Sequence, residues 1–296
     1  MQKKYIEYNP DYVPEGFGMS NTGAICWWNA LLQTLLGASG LTDIMFAYET
    51  EFANNNFALA YIKFLELALS NKATSSSSIT LFNAFKERLA LKSKVRLDQG
   101  QQCAHEGFTL FIEMLDNRRV DKLFTTSYEV TSTCSQCKYV EIYQRDTSFY
   151  ITMGMNTRND TLFTNWLRVH EGESTPRECP NCSKCTIGQK RVEKLKQLGE
   201  IVCVLFSSKL HTPTMQMHYP QSLSFSAKGG GVLKYKLIGS IEHAGVSNMT
   251  TFSSSGHYWA RSVRCDSWLK FNDSLTPTVC SSTSAESTFM VFYHME

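Results

Sequence analysis

Apolar residues change their period partway along the 296-residue chain, and that change limits the possible architectures more than any other feature. Up to about residue 115 they recur at helical spacing. Trp28, Leu31, Leu32, Leu35 and Leu36 share one helical face. The stretch 57–70, FALAYIKFLELALS, repeats the pattern and runs into the polar NKATSSSS, while Phe108, Phe111, Ile112 and Leu115 form a third stripe. Beyond about residue 124 come short segments rich in β-branched and aromatic residues: SFYITM, EIVCVLF, VLKYKLIGSIEHAG, HYWARSVR and TFMVFYH. Helices first and strands later imply an α+β fold rather than alternating βαβ units. The serines at 75–78 and the glycines at 229–231 are expected in loops, and the latter lack the ending of a phosphate-binding loop.

The length suits one large domain or a core with an inserted lobe. A net charge of +2 gives no electrostatic case for nucleic acid or an anionic membrane as partner. No stretch approaches the roughly 18 apolar residues of a membrane span, and the first residues lack the apolar core of a signal peptide. The expectation is an intracellular monomer. Ten cysteines could mark a disulfide scaffold, but such scaffolds are small and secreted.

Four of those cysteines form two C-x-x-C pairs, Cys134 with Cys137 and Cys179 with Cys182, separated by 41 residues. Each pair offers two thiolates on a tight turn, half of a tetrahedral zinc site. A gap this wide implies two hairpin tips meeting at the end of a β ribbon. Cys185 creates a second register, Cys182-x-x-Cys185, and the Cys-Pro-x-Cys turn favours Cys179 over it. Reduced cysteines without metal are the plain alternative. Arg177, Lys184, Lys190, Arg191, Lys194 and Lys196 raise the rival of a nucleic-acid module, but no aromatic residues interleave with them and Glu178 and Glu193 dilute the charge. A solvated ribbon face accounts for them better.

In SNTGAICWWNALLQTLLG, residues 20–37, Cys26 sits where a short polar loop meets an apolar helix. A helix N-terminus lowers a thiol's pKa, and Asn21 could aim its amide at the same point as an oxyanion donor. A buried structural cysteine is an equally good reading of this stretch alone. At the other end, SGHYWARSVRCDSWLKFNDSL (255–275) places His257 at a strand start and Asn272-Asp273 after an aromatic strand. A hairpin of 257–263 with 268–271 would return Asn272 to the side of His257. A thiol needs an imidazole to take its proton, and the imidazole needs an acceptor to fix its tautomer. The other histidines, at 105, 170, 211, 218, 243 and 294, read as surface or core residues, and Cys203, Cys265 and Cys280 as packing residues.

GMSNTGAICWWNALLQTL resembles the cysteine box of the ubiquitin-specific proteases, and GHYWARSVRCDSWLKFNDS resembles their histidine box. GQQCAHEGFTLFIEMLDN (100–117) is similar to their intermediate box, and TFMVFYH to their final strand. The resemblance implies a papain-like cleft as a single catalytic domain over 1–296: a helical thumb over about 18–122, zinc-bearing fingers over about 123–200 and a β palm over about 201–296. It implies a thiol-dependent deubiquitinase, cleaving after the C-terminal glycine of ubiquitin in polyubiquitin or ubiquitinated proteins. Cys26 would be the nucleophile, Asn21 the oxyanion donor, His257 the base and Asn272 its partner, with Asp273 as a second acceptor. Ala24, Ile25 and Trp27 depart from the usual box. Cys103 stands where the family has an aspartate that, with Glu106, meets the arginines of the ubiquitin tail. These departures keep open a catalytically weak ubiquitin-binding scaffold, or an isopeptidase for another ubiquitin-like modifier.

Overall fold

The computed structural model describes residues 16–92, 101–146, 149–153, 160–173, 177–183, 185–186, 190–206, 218–226, 231–248, 253–264, 266–282 and 287–296. Six helices come first: α1 (Cys26–Leu35), α2 (Ser39–Ala47), α3 (Asn56–Leu69), α4 (Ser77–Lys92), α5 (Ala104–Leu115) and α6 (Arg118–Phe124). Strands β1 (Ser127–Thr133), β2 (Val140–Asp146) and β3 (Ile151–Met153) follow, then helix α7 (Asp160–Arg168) and strands β4 (Val169–Glu173), β5 (Arg177–Glu178) and β6 (Cys185–Thr186). The remainder is β7 (Lys190–Gln197), β8 (Ile201–Phe206), β9 (Ser222–Ser226), β10 (Val232–Asn248), β11 (Ser253–Arg264), β12 (Ser267–Phe271), β13 (Thr278–Val279) and β14 (Thr288–Met295).

The change of period in the sequence is therefore the boundary between helices and sheets. One sheet runs β13-β12-β11-β10-β14-β8-β3 with β9 added to β10, and a second runs β2-β1-β7-β4. All pairings within them are antiparallel except β3 with β8. Strands β8 and β14 are buried along their shared ladder, as a central strand covered on both faces must be.

Two local expectations fail. Ser77 and Ser78 open helix α4 instead of lying in a loop. Ser77 accepts a hydrogen bond from the Thr74 N–H at 2.9 Å, satisfying a free donor at the helix start, and Ser78 is fully buried. Helix α7 sits among strands where no helix was expected. His211 and Cys265 lie outside the described residues, as do Gly229 and Gly230.

Helix α1 is buried on every side rather than along one stripe: all ten of its residues are buried. Trp28 stacks on Phe85 with ring centroids 4.9 Å apart, and Phe57, Tyr61 and Phe111 extend the aromatic core. A Cβ on Gly107 of α5 would collide with the Trp27 ring, so glycine there lets α5 pack against α1. At the far end of α1, the buried Arg264 of β11 donates through Nη2 to the Gln33 carbonyl at 2.5 Å. A cation at a helix C-terminus is favourable. It also pins α1 against the strand that begins beside Cys26.

Candidate active site

The loop before α1 is shaped by Asn21. Its Oδ1 accepts from the N–H groups of Gly23 and Ile25, each at 3.2 Å, while Ala24 between them is left-handed at φ +52°. The amide Nδ2 of Asn21 donates to Asp273 Oδ2 at 2.9 Å. Asp273 also accepts from Asn29 Nδ2 through Oδ1 at 2.8 Å, and its carbonyl accepts from the Met19 N–H at 2.7 Å. Asp273 thus fixes the loop on one side of Cys26 and the helix on the other. A cavity of about 640 Å³ opens beside this loop, walled by Gly23, Ala24, Ile25 and Trp27 and by Phe82 and Lys86 of α4.

Cys26 is the first residue of α1 and is 3% exposed. Burial pushes its thiol above the ordinary value, and the Asp273 charge adds to that. The N–H groups of Tyr258, Trp27 and Cys26 itself pull the other way. The expectation of a thiol acidified by its helix start is therefore not met, because desolvation outweighs the donors. A thiol that keeps its proton needs a base.

The β11–β12 hairpin supplies one. Ala260 pairs with Phe271, so the chain leaves β12 at Asn272 alongside the start of β11. His257 Nε2 lies 2.6 Å from Asn272 Oδ1 and 4.0 Å from Asp273 Oδ2. Asn272 Oδ1 can only accept, which places the imidazole proton on Nε2 and leaves the Nδ1 lone pair free to take a proton. Gly256 is required before His257: its φ is +124°, and a Cβ there would collide with the Ala244 carbonyl across the ladder. Cys26, Asn21, His257, Asn272 and Asp273 are drawn into one network.

Two residues of that network went unnoticed in the sequence. Asn29, 2% exposed on an otherwise apolar helix, holds Asp273; a buried polar residue one turn from a candidate nucleophile was the available signal. Tyr258 supplies a backbone donor to Cys26, which no side-chain pattern reveals.

The intermediate box behaves differently at its two positions. Glu106, in the first turn of α5, is half-buried, its Oε2 has no hydrogen-bond partner among the described residues, and desolvation pushes it up to about 7. Cys103 was expected at the tail-facing surface, but it has 0% exposure. Its Sγ lies 2.9 Å from His105 Nδ1 and accepts from the Tyr258 hydroxyl at 3.7 Å. As folded, it offers no surface to a substrate.

The two cysteine pairs meet. Sγ atoms of Cys134, Cys137, Cys179 and Cys182 all lie within 4.8 Å of one another, with Cys134–Cys182 at 3.9 Å and Cys137–Cys179 at 3.6 Å. Disulfide sulfurs sit near 2.05 Å, whereas a tetrahedral zinc with bonds of about 2.3 Å spaces them near 3.8 Å. The donor set could hold zinc. Both turns share one design: the residue after each pair, Lys138 or Ser183, is left-handed, and its N–H bonds back to the first cysteine's carbonyl. Asn181 Nδ2, with backbone and thiol donors, pulls Cys137 down to about 6. Cys185 lies on β6, opposite Glu178.

Helices packed on a long antiparallel sheet, with a thiol at a helix start and a hydrogen-bonded histidine on the adjoining strand, define a papain-like cysteine-hydrolase architecture. A profile of the ubiquitin carboxyl-terminal hydrolase family matches residues 17–293, and the chain belongs to that family. It is 24% identical over 288 residues to Ubiquitin carboxyl-terminal hydrolase 26 of Arabidopsis thaliana, covering 86% of this chain and 25% of that protein. The chain thus spans about a quarter of the length of this curated relative. Among solved structures, a chain of the SAGA DUB module Ubp8/Sgf11/Sus1/Sgf73 bound to monoubiquitin superposes with a TM-score of 0.69 at 18% identity, covering 95% of this chain and 69% of that one. The same module bound to ubiquitin aldehyde gives 0.68 at 16% identity, covering 99% and 72%. These likenesses establish the fold.

Proposed function

We propose that the chain is a thiol-dependent deubiquitinase that hydrolyses the isopeptide or peptide bond after the C-terminal glycine of ubiquitin. The observation that carries this is the 2.6 Å contact of His257 Nε2 with Asn272 Oδ1, on the strand whose next residue donates to Cys26. Family membership supplies the substrate class. His257 Nδ1 takes the Cys26 proton as Sγ attacks the glycine carbonyl carbon. The second Nδ2 hydrogen of Asn21 and the backbone N–H of Cys26 hold the oxyanion. The tetrahedral adduct collapses, the C–N bond breaks, and the lysine amine leaves with the proton from Nδ1. Water then adds to the thioester, giving its proton to the same imidazole and releasing the ubiquitin carboxylate and the Cys26 thiol.

The helical part serves as thumb, the β2-β1-β7-β4 sheet with its cysteine tip as fingers, and the larger sheet as palm. Cys134, Cys137, Cys179 and Cys182 hold a structural zinc, which ties the two tips together and supplies no catalytic step. Such free thiolates suit a reducing, intracellular setting. Glu106 receives an arginine of the ubiquitin tail. The burial of Cys103 leaves that acidic contact incomplete, which favours a second reading: an isopeptidase for a related modifier with fewer tail arginines.

The test uses ubiquitin and ubiquitin-like probes carrying a C-terminal electrophile. The wild type should form a covalent adduct with ubiquitin, and Cys26→Ala should form none and lose about 10⁴-fold or more of amide hydrolysis. An adduct with another modifier alone would select the second reading, and no adduct with any probe would refute the activity.

A further inference from the structure

Cys103, His105 and Tyr258 form a buried polar cluster that the mechanism above leaves unused. Cys103 and Tyr258 have 0% exposure and His105 has 2%. The Tyr258 hydroxyl donates to Cys103 Sγ at 3.7 Å, and Sγ is 2.9 Å from His105 Nδ1. With a lone pair accepting from Tyr258, the thiol S–H donates to Nδ1. Burial holds His105 down to about 4, so its ring is neutral near pH 7 and can accept. Phe289 packs on the rings of both His105 and Tyr258, and His243 stacks on Tyr258 at 4.1 Å. Tyr258 is thereby held from three sides, and its backbone N–H reaches Cys26.

We propose that Cys103 is a positioning residue: it anchors the Tyr258 side chain from α5, and through the Tyr258 backbone it sets the donor to the Cys26 sulfur and the placement of His257 beside it. The thiol suits this place because it is neutral. A carboxylate at zero exposure would need a cation, and the neighbours described are a neutral imidazole and a phenol. One end of the relay sits at the start of α5, the other on β11, so it joins the helical layer to the sheet directly behind the nucleophile. The kinetic part of the test below rests on the proposed deubiquitinase activity; the labelling part does not.

Three variants of the full chain decide it. Tyr258→Phe removes one oxygen, Cys103→Ala removes the sulfur, and Cys103→Ser keeps a group that can accept from Tyr258 and donate to His105. On a ubiquitin C-terminal amide, the first two should each lower kcat by about three- to tenfold, the range of one neutral hydrogen bond, with KM within about twofold. The double variant should be no worse than either single one, since both break the same link. Cys103→Ser should recover most of the loss. Alkylation of Cys26 by iodoacetamide, followed by mass spectrometry, should slow by a similar factor in Tyr258→Phe and Cys103→Ala. A raised KM with kcat intact would return Cys103 to the substrate surface and overturn the proposal. Additive losses, or unchanged Cys26 alkylation in both variants, would also overturn it. If Cys103→Ala does not fold, Tyr258→Phe against Cys103→Ser distinguishes the same outcomes. If the wild type cleaves no ubiquitin substrate while alkylation responds to both variants, the proposed function fails and the positioning role stands.

Discussion

Cys26 and Cys137 each lie beside a residue in the left-handed region, Ala24 and Lys138, yet their surroundings hold the thiol proton in opposite senses. Cys26 is buried and its thiol is pushed up, with the Asp273 carboxylate adding to the effect. Cys137 is half-buried, and the Asn181 amide and backbone donors pull it down to about 6. The two tight turns do not differ in kind; the water and the donors around them do. A knuckle thiol that gives up its proton readily is prepared for a cation. A thiol that keeps its proton waits for a base, and only substrate arrival with His257 need release it.

The sharpest way to break this contrast is to remove the knuckle. Cys137→Ser should cut zinc from about one per chain to near none and strip hydrogen-exchange protection from the β2-β1-β7-β4 sheet, because binding free energy at such sites is folding free energy. Alkylation of Cys26 should stay within about twofold, since no knuckle residue enters its network. If Cys26 reactivity collapses together with the metal, the two regions are one cooperative unit and the contrast is lost. Retention of metal in Cys179→Ser with loss in Cys185→Ser would instead move the ligand register.

Next in size is the acceptor for His257. Asn272→Ala removes the 2.6 Å partner and should lower kcat by about 100-fold, within the range of general-base contributions, with little change in KM. Asp273→Ala should cost about tenfold, because that carboxylate stands 4.0 Å from the imidazole and acts chiefly by holding Asn21 and Asn29. The reverse ranking would make the anchoring of the Asn21 loop more demanding than the orientation of the base.

How far these features were legible follows from what kind of information each needs. The helical stripes and the β11–β12 hairpin are periodic and local, so Asn272 could be placed beside His257 from the residue pattern alone. Strand β7, KRVEKLKQ, pairs on both sides yet carries charges at alternate positions, so its apolar signal is thin. Ser77 and Ser78 looked like loop because a polar run hides a helix start whose capping is its function. Depth was the least legible quantity. A motif places Cys103 on a box but not at 0% exposure, and it places Cys26 at a helix start without the burial that outweighs that position.

Glu106 gives a smaller effect with a defined sign. Its folded value of about 7 lies above the ordinary 4.5, so the folded chain binds this proton more tightly than the unfolded one. The stability it contributes is complete below about 4.5 and is lost as pH rises through about 7. Binding runs the other way, because only the carboxylate attracts a tail guanidinium. Between pH 6 and pH 8, KM for a ubiquitin substrate should fall by about tenfold, and Glu106→Gln should flatten that dependence at the weaker level. A wild-type KM independent of pH over that range would remove Glu106 from tail recognition.

The smallest expected effect tests the turns themselves. Lys138 and Ser183 are left-handed at φ +61° and +52°, and their N–H groups each close a bond to a cysteine carbonyl. Ala24 adopts φ +52° as well, with its neighbours Gly23 and Ile25 both donating to Asn21 Oδ1. A left-handed conformation costs an L-residue about 1–2 kcal/mol, and asparagine bears it better than alanine because its side chain bonds locally. At the knuckle, the strain is offset by a metal that binds only the folded form. At Ala24 it is offset by Asn21 alone. Ala24→Asn should therefore stabilise the chain by about 0.5 kcal/mol, about 1–2 °C in Tm. Lys138→Asn should change the metal-loaded protein less. If Ala24→Asn lowers Tm instead, the loop before Cys26 is set by packing against the cavity wall rather than by its backbone, and the likeness between the two turns ends at their dihedral angles.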